Sequence, residues 1–421
     1  MIDQYNSLYG KRLFRLTNML APVAAIAGLL AFATVAIFGF GKEDGSWMGD
    51  FFWYFAGGKC FLMGSNMYDT ECFAPILKEL YNFTALAGLS YPPHFGPMAA
   101  LFAIPPLFYS VHIFYVANIL ASLAMAVIVS KTISQTFGSR ENGLSLSHLW
   151  ALLLVMGSSG IWAAVWLGQF VIFAAICLWL AFQQIERGND FNAAALLALA
   201  SVKPQIAALV FLWLLLHGRF KILFIAGLIA AFLSSYTFAQ MGIIPAIEGW
   251  FNGLGTYQQY PVNQLGNNSV MGIPSFLALY GISIPLPVAT SIGALLIVFL
   301  RFRSNVAPYS PMALATILLV QMSVFSRPPD LILIAPVFAL FWPTERSHIL
   351  QTALFMLAMA VYCFPQQLVV KALPLTEAGH FRTLLLIVLT VAFIRQMLRG
   401  MSSFDCNAPR QQIPSIQTIK S

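Results

Sequence analysis

A lone carboxylate, Asp50, opens the aromatic-rich stretch Trp47-Met-Gly-Asp-Phe-Phe-Trp-Tyr-Phe-Ala-Gly-Gly-Lys-Cys60. Further along, polar groups stand where apolar ones are expected. Gly168-Gln169 marks a helix junction, Lys203-Pro204-Gln205 separates two hydrophobic runs, and Ser326-Arg327-Pro328-Pro329-Asp330 makes a tight loop. An isolated acid suits proton abstraction from a hydroxyl, and a lysine or arginine among apolar surroundings suits an anion. Each residue also has a plainer use. Asp50 serves as a helix cap, Lys203 extends its ammonium to the membrane interface, Gln169 caps or bridges helices, and Arg327 pairs only with Asp330. The sequence lacks a Gly-rich nucleotide loop and a convincing D-x-D pair. Its five cysteines show neither CxxC nor Cys/His ligand spacing. No metal or cofactor is expected, nor is nucleic acid.

The elements that must position these groups follow from composition. Of 421 residues, 59% are hydrophobic and 9% charged, with a mean hydropathy of +0.79. A soluble domain carries roughly 25% charged residues, so this is an all-α, polytopic integral membrane protein. The net charge of +7 resides in short basic loops and reads as a topology signal. With Lys11, Arg12, Arg15, Lys131 to Arg140, Arg187, His217 to Lys221, Arg301 to Arg303, Arg346, Arg395 and Arg399 inside, both termini are cytoplasmic. About 12 spans result, near 18–40, 97–130, 147–161, 169–184, 191–202, 204–217, 219–240, 280–300, 308–325, 330–343, 349–364 and 382–398. The stretch 97–130, with Pro105-Pro106 inside it, is either one kinked span or a short re-entrant piece followed by a helix. Residues 1–401 form one domain and 402–421 a polar cytoplasmic tail, poorly ordered.

The long outside segments are Gly41 to Pro97, Gln240 to Gly272, Ser326 to Asp330 and Pro365 to Arg382. In the first, the aromatic stretch and Glu71 to Thr84 read as helices lying in the membrane interface, joined by turn residues Gly64 to Asp69. Cys60 and Cys72 share this loop and are either a disulfide, suited to an oxidising compartment, or small buried apolar residues.

In order along the chain come GD-x-x-x-Y (Gly49, Asp50, Tyr54), G-x-N-x-Y-D (Gly64 to Asp69), YPP (Tyr91 to Pro93), Gly168-Gln169 and KPQ (Lys203 to Gln205). GRF (Gly218 to Phe220), NNS (Asn267 to Ser269) and a loop ending in Asp330 follow. From about residue 18 to about 345 this order resembles glycosyltransferase family 87, which includes polyprenol-phosphate-mannose-dependent mannosyltransferases. The resemblance implies a C-type membrane glycosyltransferase fold with its site facing away from the cytoplasm, in the cell inner (plasma) membrane. It implies a polyprenyl-phosphate-linked sugar, mannose above all, as donor, and a glycan, glycolipid or lipid as acceptor. It maps the catalytic base onto Asp50 and the donor-phosphate site onto Lys203. The family often carries His before the acid at Asp330; here Arg327 stands in that loop as an alternative positive charge. The expected substrate contacts are Tyr54, Tyr91, His94, Gln169, Gln205, Asn268 and Asp330. A single base without a carboxylate nucleophile implies inversion, by analogy with glycosidases. Rival readings are a flippase or transporter of a lipid-linked sugar, a surface-glycan ligase or polymerase using a diphosphate-linked donor, and a scaffold. Polar groups at the outer edge and the lack of repeated halves favour transfer over transport.

Overall fold

A computed structural model of the protein describes residues 26, 30, 33, 47–81, 85–86, 88–137, 152, 154–335, 337–340, 349–363, 370 and 376–399. Most of the expected first span, the basic residues before it, Arg346 and the C-terminal tail lie outside these residues. Among the described residues there is no β-strand; a single antiparallel bridge joins Met271 and Ser326. The helices are α1 (Gly49–Leu62), α2 (Thr70–Tyr81), α3 (Gly96–Ala103), α4 (Leu107–Phe137), α5 (Ser159–Leu167), α6 (Val171–Glu186), α7 (Asp190–Ala200) and α8 (Pro204–Leu216). They continue with α9 (Phe220–Met241), α10 (Ile243–Tyr257), α11 (Ile273–Ala278), α12 (Leu286–Arg303), α13 (Pro311–Val324), α14 (Val337–Leu340), α15 (Ile349–Cys363) and α16 (Phe381–Arg399). Short 3-10 turns cover Pro93–Phe95, Pro261–Asn263, Pro328–Ile334 and Thr376–His380.

Among the described residues, four segments are long and apolar enough to cross a membrane: Leu107–Thr132, Phe220–Met241, Leu286–Arg303 and Glu377–Arg399. Shorter apolar helices, α6, α7, α8, α13 and most of α15, fill the space between them. On α9 and α12, large apolar side chains such as Phe224, Phe232, Ile292 and Leu295 point outward, as hydrocarbon contact requires. Helix α13 is the opposite case: every residue from Met312 to Val324 is buried.

The segment 97–130 is broken, with a short helix before a long one. Helix α3 ends at Ala103, and α4 starts at Leu107 after Pro105 and Pro106. Prolines lack the N–H that would carry a helix across this point. Arg219, Lys221, Arg301, Arg303, Arg395 and Arg399 lie at or just past the far ends of α8, α12 and α16. There Arg219 Nε donates to Tyr309 Oη (2.7 Å), Arg301 Nε to the Leu216 carbonyl (3.1 Å), and Lys221 pairs with Asp190 (3.1 Å). Lys203 begins α8 and these groups lie past its end, roughly 20 Å away at 1.5 Å per residue over 13 residues.

Helix α1 departs from the sequence expectation. Its aromatic side chains are packed into the protein and do not form an outward belt. Phe51, Tyr54, Phe55, Ala56, Cys60 and Phe61 are buried, and Gly58 packs so tightly on α3 that an added Cβ would stand 2.1 Å from the Ala99 carbonyl oxygen. Phe51 meets Phe102 and Phe114, and Tyr54 meets Phe95. An aromatic run is equally apt for a belt or a core, and here tertiary packing makes it core. Helix α2 is amphipathic as expected, with Phe73 and Leu77 buried and Glu71, Lys78 and Glu79 exposed. Cys60 and Cys72 form a disulfide that ties α1 to α2.

Candidate active site

Two left-handed residues set the depth of Asp50. Gly168 ends α5 with φ 67°, and Met48 precedes α1 with φ 58°. The Met48 N–H donates to the Trp166 carbonyl (2.7 Å), so the start of α1 docks on the end of α5. A Cβ at Gly168 would come within 2.9 Å of Met48 and Phe51. Only glycine adopts this φ freely and leaves room for α1. Asp50 stands in the first turn of α1 and does not act as its cap; Met48 holds that position.

The carboxylate bonds elsewhere. Gln169 Nε2 donates to Asp50 Oδ2, and Gln169 Oε1 accepts from Lys203 Nζ at 2.7 Å. Lys203 sits in the turn between α7 and α8 and also faces Asp330 at 3.8 Å. Asp330 accepts from the Arg327 backbone N–H at 2.8 Å, whereas the Arg327 guanidinium donates to Tyr257 Oη. Arg327 and Asp330 therefore do not pair only with each other. Arg327 Nε is buried without a hydrogen-bond partner among the described residues. Lys203 and Asp330 are each 4% exposed. Charges this enclosed interact far more strongly than surface pairs.

These groups share a cavity of about 690 Å³, within the usual range for small-molecule sites. Its wall includes Asp50, Tyr54, Tyr91, Gln169, Lys203, Gln205, Arg327 and Asp330, eight of the ten residues expected from the sequence. Tyr54 and Tyr91 join through their hydroxyls at 2.9 Å. Burial, with the Asp50 charge adding, pushes both phenols well above the usual range, so they stay protonated. Burial likewise raises Tyr257; Arg327 opposes this, and Asp50 and Asp330 reinforce it.

His94 and Asn268 do not line the cavity. His94 is buried behind the wall, with Nε2 3.0 Å from Ser201 Oγ. Asn268 is exposed, and its amide fills the space that a Cβ on Gly379 would need. The cavity also contains residues that the sequence reading missed. Trp250, Leu254 and Tyr257 line it from α10; their spacing of four and three along an outside-loop helix is the signal that could have found them. Gln321, a lone amide in the apolar run of α13, lines it too, with Oε1 buried and unpartnered among the described residues. Ala208, Leu286, Pro287 and Phe325 give the cavity an apolar arm beside its charged one.

The arrangement joins one carboxylate, two cations and an apolar arm, which suits an amphiphilic anion and a hydroxyl-bearing partner. The sequence model of glycosyltransferase family 87 matches residues 89–328, more than half of the chain. The chain belongs to glycosyltransferase family 87. It is thus a membrane glycosyltransferase of helical build. The matched stretch contains Tyr91, Gln169, Lys203, Gln205 and Arg327; Asp50 and Asp330 lie outside it. No curated protein and no solved structure matches the chain.

Proposed function

We propose that the protein transfers a sugar, mannose, from a polyprenyl-phosphate donor to an acceptor hydroxyl on a glycan, glycolipid or lipid, with inversion at the anomeric carbon. The observation that carries this reading is that Asp50, Lys203 and Arg327 line one cavity together with an apolar arm. Asp50 takes the proton of the acceptor hydroxyl as that oxygen attacks the anomeric carbon. The bond from that carbon to the phosphate oxygen breaks, and polyprenyl phosphate leaves with the electron pair. General base catalysis contributes about 10²–10⁴-fold. Lys203 and Arg327 stabilise the charge that develops on the departing phosphate, where fixed donors in an enclosed site act most strongly. The apolar arm accepts the first units of the isoprenoid chain. Trp53, Tyr91, Trp250 and Tyr257 offer aromatic surface for the sugar. Substrate is the only non-protein component this chemistry requires; no metal takes part.

The site belongs on the non-cytoplasmic face of the plasma membrane. Two observations support this side. The Cys60–Cys72 disulfide joins the helix that carries Asp50 to its neighbour, and disulfides persist in oxidising compartments. The basic ends of α8, α12 and α16, marked by Arg219, Lys221, Arg301, Arg303, Arg395 and Arg399, lie at the other end of these helices, as the positive-inside rule requires of cytoplasmic ends.

The test is transfer of labelled mannose from short-chain polyprenyl-phosphate mannose to lipid extracted from the native membrane, with the full chain in detergent. Transport needs sealed vesicles and transfer does not, so turnover in detergent separates the two activities. Asp50→Asn removes the base and keeps the shape of the side chain. It is expected to fold, to melt near the wild-type temperature, and to lose transfer by at least about 10²-fold. Full turnover by this variant would overturn the assignment.

A further inference from the structure

Gln169 contacts both the proposed base and the proposed phosphate cation. Its amide has one workable orientation. Oε1 must face the Lys203 ammonium, which has only donors, and Nε2 must face the Asp50 carboxylate, which has only lone pairs. A flipped amide would set N–H against ammonium and oxygen against carboxylate. The backbone beneath is equally fixed. The Gln169 N–H donates to the Ala164 carbonyl at 2.8 Å, and Gly168 is wedged under Met48 and Phe51.

We infer that Gln169 is a positioning residue: it acts through Asp50, aiming the carboxylate and linking it to the cation that receives the donor phosphate. This rests on the transfer reading given above. The Nε2–H bond occupies Asp50 Oδ2 and leaves Oδ1 for the proton of the acceptor hydroxyl. The opposite end of the amide is pinned by Lys203. A charge-assisted bond at each end holds the amide more firmly than a neutral bond would. The carboxylate therefore stands at a fixed angle when the acceptor arrives, and Lys203 keeps an N–H for the phosphate beyond those directed at Gln169 and Asp330. The link is geometric as well as electrostatic: loss of the amide frees Asp50 to rotate about its side-chain bonds, and misplacement by about 1 Å costs on the order of 10²-fold in rate.

A residue that only contacts substrate and a residue that aims the base differ in kinetics. In the detergent assay with polyprenyl-phosphate mannose and native lipid extract, Gln169→Leu is expected to lower kcat by about 10²-fold and to leave the KM for the donor within about twofold. Gln169→Glu keeps the reach to Lys203 and sets a second carboxyl against Asp50. Like charges oppose ionisation, so the acid limb of kcat against pH is expected to move up by about one unit or more. The other ionisable groups around this pair are Lys203, Arg327, Asp330, Tyr54, Tyr91 and Tyr257, and all are unchanged in the variant. Wild-type kcat with a raised donor KM in Gln169→Leu would make Gln169 a substrate contact and overturn the inference. An unmoved acid limb in Gln169→Glu would do the same, and this variant decides the matter if thermal melts show that Gln169→Leu is unfolded. An inactive Asp50→Asn beside a fully active Gln169→Leu would defeat this inference alone; an active Asp50→Asn would defeat the reading beneath it.

Discussion

Two cavities share the wall built by α12 and α13, and they differ in size and in what their polar groups do. The larger is lined on that wall by Thr290, Gln321 and Phe325, and the smaller, of about 200 Å³, by Ile292, Gly293, Val320 and Val324. In the larger one the charged groups and Gln169 come from the ends of helices and the breaks between them, and Gln321 alone of the amides named stands inside a helix. Asp50 is in the first turn of α1, Gln169 lies between α5 and α6, Lys203 between α7 and α8, and Arg327 and Asp330 follow α13. In the smaller one, the polar side chains are hydroxyls on helices, and they satisfy one another. Ser323 Oγ and Thr390 Oγ1 are 2.9 Å apart, and Thr390 also donates to the Leu386 carbonyl at 2.7 Å. Helix interiors consume their own backbone groups and can hide a hydroxyl on a carbonyl one turn back. Helix ends bring together groups with bonding capacity left over. The contrast separates polar groups with capacity to spare from those already spent.

The largest break in that contrast is Lys203→Met. It gives the charged arm the hydrocarbon character of the smaller cavity. Removing one member of a buried pair costs about 3–5 kcal/mol, because Asp330, 4% exposed, is left without its cation. Transfer is expected to fall by about 10²–10³-fold, as when one donor to a developing anion is lost. Melting temperature and turnover of the same preparation check both parts. Lys203→Met with near-normal turnover would show that Arg327 alone holds the phosphate.

His94 tests the other class, a polar group already spent. Ser201 Oγ donates to the Ala198 carbonyl at 2.7 Å, which leaves the His94 Nε2–H to donate to that oxygen. Burial pushes this imidazole, in the loop before α3, down to about 4. In the unfolded chain it takes up its proton near 6.5. Between these values the unfolded chain binds more protons, so stability is complete above about 6.5 and falls as pH drops through about 4, by up to about 3 kcal/mol. His94→Gln is expected to retain transfer at neutral pH and to lose this part of the acid sensitivity. Thermal unfolding of both proteins in detergent between pH 7.5 and pH 4.5, about the ends of that window, reads the difference. Equal acid slopes would mean that His94 is not held neutral by its surroundings.

The same distinction explains what could be read in the sequence. Asp50 and Lys203 are conspicuous because a charge amid apolar runs must be either placed at an interface or partnered. Gln169, Gln205, Arg327 and Asp330 stand out in the same way, as polar groups between apolar runs, whereas Tyr54 and Tyr91 come from the order of motifs around them. The partnering was not legible. The sequence places Gln169 119 positions from Asp50, and the interlock of Met48 with Gly168 that unites them depends on two left-handed residues with no pattern of their own. The burial of α1 was hidden for a different reason: Phe51, Tyr54 and Phe55 have the same composition in a belt and in a core. His94 follows the YPP motif and Asn268 lies within NNS, and a place in or beside a motif did not carry them to the cavity. Gln321 was invisible because a single amide in an apolar helix is as easily a bridge between helices as a wall of a site.

The smallest expected effect sharpens the comparison most. Ser323→Ala removes one of the paired hydroxyls in the lesser cavity. Thr390 keeps its bond to the Leu386 carbonyl, so no buried donor is left stranded, and the loss is that of a satisfied hydrogen bond, about 0.5–1.5 kcal/mol. Transfer should stay within about twofold, since a change of that size in a spent group leaves the transition state untouched. Ser323 is two residues from Gln321 on α13, and the two side chains border different cavities. A tenfold loss of transfer in Ser323→Ala, with melting little changed, would mean that α13 conveys strain between the cavities. The wall would then be part of the catalytic apparatus, and the division between spent and available groups would fail on the helix where it is most sharply drawn.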